Sequence, residues 1–228
     1  MDLAKIPFER FDAFHHAFNG EGNGMWKVCA ECGGRCEIHK VGTLLPGEKE
    51  YMAAKLKWSI SELENRYLDR LITPRGTVDV LKIKPGCNFL DSCYHCTMAD
   101  HNVKPILCDI YPVVIEADKL GGTDEAPELD VRFFVDELDC PLMHPTYTWK
   151  GRTITNPRYQ VYRDYFENTG ITLLKQLEVS AEFYWILAQY DSENYDYPAL
   201  LNKRHVPVEQ YDTLTLEDLT SCSLGHDL

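Results

Sequence analysis

The sequence predicts an α+β chain, mainly helical, with an irregular cysteine-rich metal-binding core, a small β hairpin and a helical C-terminal part. Three observations predict it. Cys29, Cys32, Cys36, Cys87, Cys93, Cys96, Cys108 and Cys140 crowd one stretch of the chain, while Cys222 stands alone. Helix-start signals and apolar stripes of helical period occur both between the two cysteine groups and after them. Two runs rich in β-branched and aromatic residues flank a polar, glycine-containing segment between 111 and 138. By composition the chain divides into a cysteine-cluster region, 1–144, and a helical extension, 145–228, packed on it as one unit.

Residues 1–24 read as an amphipathic lead-in that ends in the turn-rich Asn19-Gly20-Glu21-Gly22-Asn23-Gly24. After the first cysteine group, Pro46 opens a helix to about Lys57, with Glu48 and Glu50 placed to favour its N-terminal dipole. Ser59 and Glu62 form a capping-box pattern that starts a second helix to about Leu71, with Leu63, Tyr67 and Leu71 on one face. Val78, Val80 and Ile83 give a strand over 77–84. Strands over 111–117 and 129–138 form a hairpin whose loop is Gly121-Gly122-Thr123-Asp124-Glu125. Residues 145–157, with Pro145, Gly151 and Pro157, read as a linker. Helices follow over 158–168 and 171–190, the second carrying the stripe Ile171, Leu174, Leu177, Ala181, Trp185 and Ala188.

Composition narrows the functional classes. With 228 residues, 44% of them apolar, the chain can bury a core. No segment reaches the ~20 apolar residues of a bilayer span, so no membrane association is expected. The first ten residues interleave charges with apolar groups and lack the apolar centre of a secretory signal, so the expected compartment is the cytoplasm. There, cysteines stay reduced and serve metals or redox chemistry in preference to disulfides. The net charge of −13 repels polyanions, which argues against nucleic acid and for a redox or basic protein partner.

The cysteine spacing carries the chemistry. In Cys29-x2-Cys32-x3-Cys36 a tight turn brings two thiolates to one metal, the Gly33-Gly34 pair frees the backbone, and the third cysteine can join. The second group is Cys87-x5-Cys93-x2-Cys96-x11-Cys108, with Cys140 beyond it. These eight thiols suffice for two four-thiolate sites, as [4Fe-4S] cubes or as zinc ions. A lone buried cysteine is ordinarily a small apolar residue, but packing alone does not account for eight with two Cys-x-x-Cys pairs. A fourth ligand for the first group comes either from His39 or from the second group. Glu37 is the carboxylate best placed to touch a metal. His95 and His101 are candidates to ligate or to support a ligand. His15-His16 reads as a helix-surface pair, and Asp91 as a loop residue bonding backbone. No Ser-His-Asp, Walker or dinucleotide-binding pattern occurs, so no catalytic residue is assigned.

In order along the chain, these motifs resemble the YkgJ-type cysteine-cluster family, described as zinc- or iron-chelating or Fe–S-cluster-containing proteins. The resemblance covers about residues 26–142. It is carried by Cys29-Ala30-Glu31-Cys32-Gly33-Gly34-Arg35-Cys36, Leu44-Leu45-Pro46-Gly47-Glu48, Ser59 to Tyr67, Gly86-Cys87-Asn88-Phe89-Leu90-Asp91, Lys104-Pro105-Ile106-Leu107-Cys108-Asp109-Ile110-Tyr111-Pro112 and Cys140-Pro141. It implies ligation by Cys29, Cys32, Cys36, Cys87, Cys96, Cys108 and Cys140. Where the family has a Cys-Cys pair this chain has Cys36-Glu37, and Cys93 is extra and restores the count. The cysteine count and the resemblance together favour an iron–sulfur cluster over zinc. Three functional readings follow: a redox or cofactor centre; a structural or chelating zinc protein whose C-terminal half binds a partner; and an iron–sulfur-dependent methyltransferase-like enzyme.

Overall fold

The computed structural model describes residues 3–19, 42–73, 76–82, 89, 96–98, 101–123, 126–135, 140, 143–149 and 152–192. Helix α1, Phe8–Asn19, turns Phe11, Phe14, His15 and Phe18 inward, the 3–4 spacing that places residues on one helical face. Helix α2, Glu48–Leu56, packs against it through Tyr51, whose ring centroid lies 5.1 Å from that of Phe11. Pro46 does not begin this helix. Gly47 does so as N-cap at φ +90°, where a Cβ would come 3.0 Å from the Ile6 carbonyl oxygen, so the turn needs glycine.

Helix α3, Ile60–Tyr67, starts as expected, with the Ser59 hydroxyl oxygen accepting from the Glu62 N–H. It stops before Leu71. Leu68–Thr73 form strand β1, paired antiparallel with β2, Gly76–Leu81, from Leu68↔Leu81 to Thr73↔Gly76. The helical spacing of Leu63, Tyr67 and Leu71 was therefore overridden by cross-strand pairing, which suits Ile72 and Thr73 better than a helix does. Residues 42–44 run along the other side of β2: the Leu81 N–H donates to Gly42 O at 2.7 Å, and the Leu44 N–H donates to Asp79 O at 2.9 Å.

The short helix α4, Ile106–Asp109, follows Pro105, and the Tyr111–Pro112 peptide after it is cis. The hairpin expected between 111 and 138 is present as β3, Val113–Gly122, and β4, Pro127–Val135, with an irregularity between Lys119 and Gly121. One face, including Val113, Ala117 and Phe133, packs inward. The other carries Glu116, Asp118, Asp130 and Arg132. The segment read as a linker instead forms a third hairpin, β5, Thr146–Trp149, with β6, Arg152–Thr155. Its alternating threonines and aromatics fit a pleated pair, and the Asn156 N–H donates to Pro145 O across its base at 2.8 Å.

The C-terminal helices are shorter than their stripes suggest. Helix α5, Tyr159–Asp164, continues as a π-helical turn, Tyr165–Gly170, and then as α6, Ile171–Gln176. The expected single helix over 171–190 breaks at Glu178, which takes φ +52°. It resumes as α7, Ala181–Ser192, after Ser180, whose hydroxyl accepts from the Phe183 N–H. Leu174, Leu177, Phe183, Tyr184 and Ile186 join the same buried cluster as Phe11, Tyr51, Leu63 and Val80.

The expected fold class needs correction. In place of an irregular cysteine-rich metal-binding core, the described residues share an apolar core of aromatic and aliphatic side chains. Among them no group of three or more His, Cys, Asp or Glu is arranged to hold a metal ion. There are three two-stranded antiparallel sheets where one small hairpin was expected. The physical reason is visible in α1: its phenylalanines, read only as an amphipathic lead-in, supply the apolar mass around which α2, α4 and the C-terminal helices close. Among the described residues no helix is long and apolar enough to cross a membrane.

Candidate functional site

The site is built where three stretches meet: the end of α1, the Leu45–Tyr51 turn and helix start, and residues 101–111. Of the cysteines expected to ligate metal, Cys96, Cys108 and Cys140 are described. Cys29, Cys32, Cys36, Cys87 and Cys93, with Glu37, His39, Asp91 and His95, lie outside the described residues, as does Cys222. Cys96 is half-buried against the core, and beside it Thr97 donates through both its N–H and its hydroxyl to Phe89 O, at 2.8 and 3.0 Å. Positions 89 and 97 are thus tied together, with Cys93 between them in sequence. Cys108 sits in α4, half-buried, so close to Gly42 that a Cβ there would stand 2.7 Å from its Sγ. Gly42 follows Cys36 by six positions in the sequence. Cys140 is buried, with its carbonyl accepting from the Met143 N–H.

Thiol donors at the edge of an apolar core have the chemistry a zinc or iron–sulfur centre needs. The described cysteines do not complete a ligand set, which would require members of the first group or Cys87 and Cys93.

A carboxylate fixes the position of Cys108. Glu48 is fully buried; one of its oxygens accepts from the Leu45 N–H at 2.7 Å and the other from the Ile106 N–H at 2.6 Å. The first bond closes the turn ahead of α2, and the second seizes the first residue of α4, two positions before Cys108. Burial pushes the Glu48 pKa up to about 8, with the Asp109 charge adding to the rise and the two backbone bonds opposing it.

Beside Glu48 lies a buried polar group that the sequence reading missed. Asp109, at the end of α4, has one oxygen 3.5 Å from Nδ1 of His15 and the other 3.9 Å from Nζ of Lys104. All three side chains are less than a tenth exposed. His15 was expected on the helix surface. It is instead buried with its ring stacked on Tyr51, centroids 5.7 Å apart at 9°, and among the described residues neither of its ring nitrogens has a hydrogen-bond partner. Tyr165, on the π-helical turn, reaches Phe18 O at 3.4 Å; burial and the Asp109 charge push its pKa up to about 12. The available signal was an acid inside the apolar run Ile106-Leu107-Cys108-Asp109-Ile110, where a charge needs a partner.

Above this group opens a cleft of about 290 Å³ lined by Asp12, His15, His16, Asn19, Tyr51, Lys55, His101 and Asn102. His101, expected as a ligand or its support, is exposed at the cleft edge, and among the described residues no third metal-binding side chain converges on it. Asp12 accepts from Lys55 at 2.6 Å and from the Tyr51 hydroxyl at 2.9 Å. The Lys55 bond is the main reason its carboxyl is held below the usual range, with burial opposing and Tyr51 assisting.

Compared with known proteins, the chain matches no family model, no curated protein and no solved structure.

Proposed function

We propose that the chain is a cytoplasmic metalloprotein of the YkgJ type, whose cysteines ligate one or two iron–sulfur centres serving redox or cofactor chemistry. The observation that supports the reading is that the described cysteines, Cys96, Cys108 and Cys140, all pack, half-buried or buried, at one apolar core. Cys29, Cys32, Cys36, Cys87, Cys93, Cys96, Cys108 and Cys140 would hold the metal. Bound there, a cluster would supply one-electron exchange. The protein's own part is positional: Glu48 holds the N-terminus of α4, Thr97 ties the chain beside Cys96 to Phe89, and the packed core fixes Cys140.

The second reading, a structural or chelating zinc protein whose C-terminal half binds a partner, stands as the alternative that metal and sulfide analysis separates from it. No observation favours the methyltransferase-like reading.

Anaerobic purification followed by iron, zinc and acid-labile sulfide analysis tests the proposal. The expected result is a brown protein absorbing broadly near ~400 nm, with iron matched by sulfide and diminished in Cys108→Ser but not in Cys222→Ser. A colourless protein holding stoichiometric zinc without sulfide, or no metal at all, overturns it.

A further inference from the structure

We propose that the cleft between α1, α2 and the His101–Asn102 turn binds a small oxyanion, a phosphate or a carboxylate, on side-chain donors of His15, His16, His101, Asn19 and Asn102. This stands apart from the metal reading and uses none of its cysteines.

The lining is rich in donors and its charge is already settled. The one carboxylate lining the cleft is Asp12, and it is engaged by Lys55 and by the Tyr51 hydroxyl, which leaves three imidazoles and two carboxamides to meet a guest. Imidazole and carboxamide nitrogens are the groups that complement an acceptor-only ligand. The last turn of α1 brings His16 and Asn19 to the cleft, and that of α2 brings Lys55.

His15 points to a ligand independently. Its side chain is 4% exposed, it forms part of the cleft wall, and among the described residues neither ring nitrogen has a hydrogen-bond partner. Leaving a buried polar group unpaired costs stability, so a guest that reaches one of these nitrogens recovers part of that cost. Asp109 lies 3.5 Å from Nδ1, and Tyr51 and Phe14 fix the ring by stacking and by an edge contact. A metal is the poorer guest, since among the described residues no three ligating side chains converge. A volume of about 290 Å³ accommodates inorganic phosphate or a short dicarboxylate.

The test is thermal unfolding of the full chain in sodium phosphate and in sodium malonate, each against sodium chloride at equal pH and ionic strength. A saturable rise in Tm in one arm assigns phosphate or carboxylate respectively, and a rise in both assigns a general oxyanion site. His16→Gln and His101→Gln alter exposed residues, so folding is retained, and each is expected to weaken binding about tenfold, the loss of one charge-assisted hydrogen bond. Histidine ring resonances followed by NMR during the same titration should move for His15, His16 and His101. Absence of a saturable shift in either arm, or a shift unchanged in both variants, overturns the proposal.

Discussion

Glu48 and Arg132 each sit at the centre of several polar contacts, one inside the molecule and the other on its surface. Glu48 is fully buried and both of its oxygens are used by backbone N–H groups, one from its own turn and one from α4, 58 residues away. Arg132, on the outer face of the β3–β4 hairpin, faces Glu116, Asp118 and Asp130, with about half of every side chain exposed to water. The surface cluster has more charges and the interior one has fewer alternatives. Water can replace any partner of Arg132, whereas nothing replaces the carboxylate between Leu45 and Ile106. Burial and the absence of a substitute decide the worth of a contact, and the number of charges does not.

The sharpest way to break this comparison is to remove the buried group. Glu48→Ala strips the acceptors from two buried N–H groups and is expected to cost about 2–5 kcal/mol of unfolding free energy in urea titrations. Glu48→Gln keeps one acceptor and turns a donor toward the other N–H, so its cost should be smaller, about 1–3 kcal/mol. If Glu48→Ala loses less than Glu48→Gln, the carboxylate is not the clamp described.

The pH dependence of stability sharpens the same point. The Glu48 pKa rises from an ordinary 4.5 to about 8 in the folded chain, so the folded state binds the extra proton in that window. Its contribution is fully present below about 4.5 and is lost as the pH climbs through 8, at no more than about 1.4 kcal/mol per unit. Glu64, held low chiefly by Lys49 and then by Arg70, acts oppositely: its contribution is present above its ordinary 4.5 and fades as the pH falls. Wild-type stability should therefore decline from weakly acidic to weakly alkaline pH, and Glu48→Gln should flatten that decline. An equal slope in both proteins would assign the dependence to other groups.

This contrast also explains what the sequence made legible. The Ser59 cap and the β3–β4 hairpin depend on neighbours within a few residues, and residue types alone announced them. The third hairpin was hidden by Pro145, Gly151 and Pro157, which read as a linker although the threonines and aromatics among them pair across a turn. The end of α3 depended on β2, a partner not yet in sight at Leu71. At the site, the cysteines could be picked out by spacing, but Glu48 looked like an ordinary first-turn acid. Its second bond goes to Ile106, and no local pattern encodes a partner that distant. His15 was misplaced for a related reason: one helix buries it and another, carrying Asp109, gives that burial its consequence.

Gly47 lies between the two extremes, as a conformational requirement next to the buried clamp. At φ +90°, with a Cβ position 3.0 Å from Ile6 O, Gly47→Ala should cost about 1–3 kcal/mol by chemical denaturation. The loss should be less than additive with that of Glu48→Gln, because both act on the turn from Leu45 to Glu48. Strict additivity would separate the strain from the clamp.

The smallest effect is expected on the surface. Removing Arg132 as Gln takes away the one cation among Glu116, Asp118 and Asp130, and Asp118 and Asp130 face each other directly across the strands. Like charges in that position repel, so the substitution should cost more than an isolated surface pair would, yet only about 0.5–1 kcal/mol at low salt. At 1 M salt the screening length falls to about 3 Å, and the difference between variant and wild type should shrink toward zero. The Glu48 variants should keep most of their loss in the same salt, because their missing bonds lie where ions do not penetrate. A salt-insensitive loss at Arg132 would mean that its aliphatic stem packs on the hairpin, and the surface cluster would then owe its worth to burial after all.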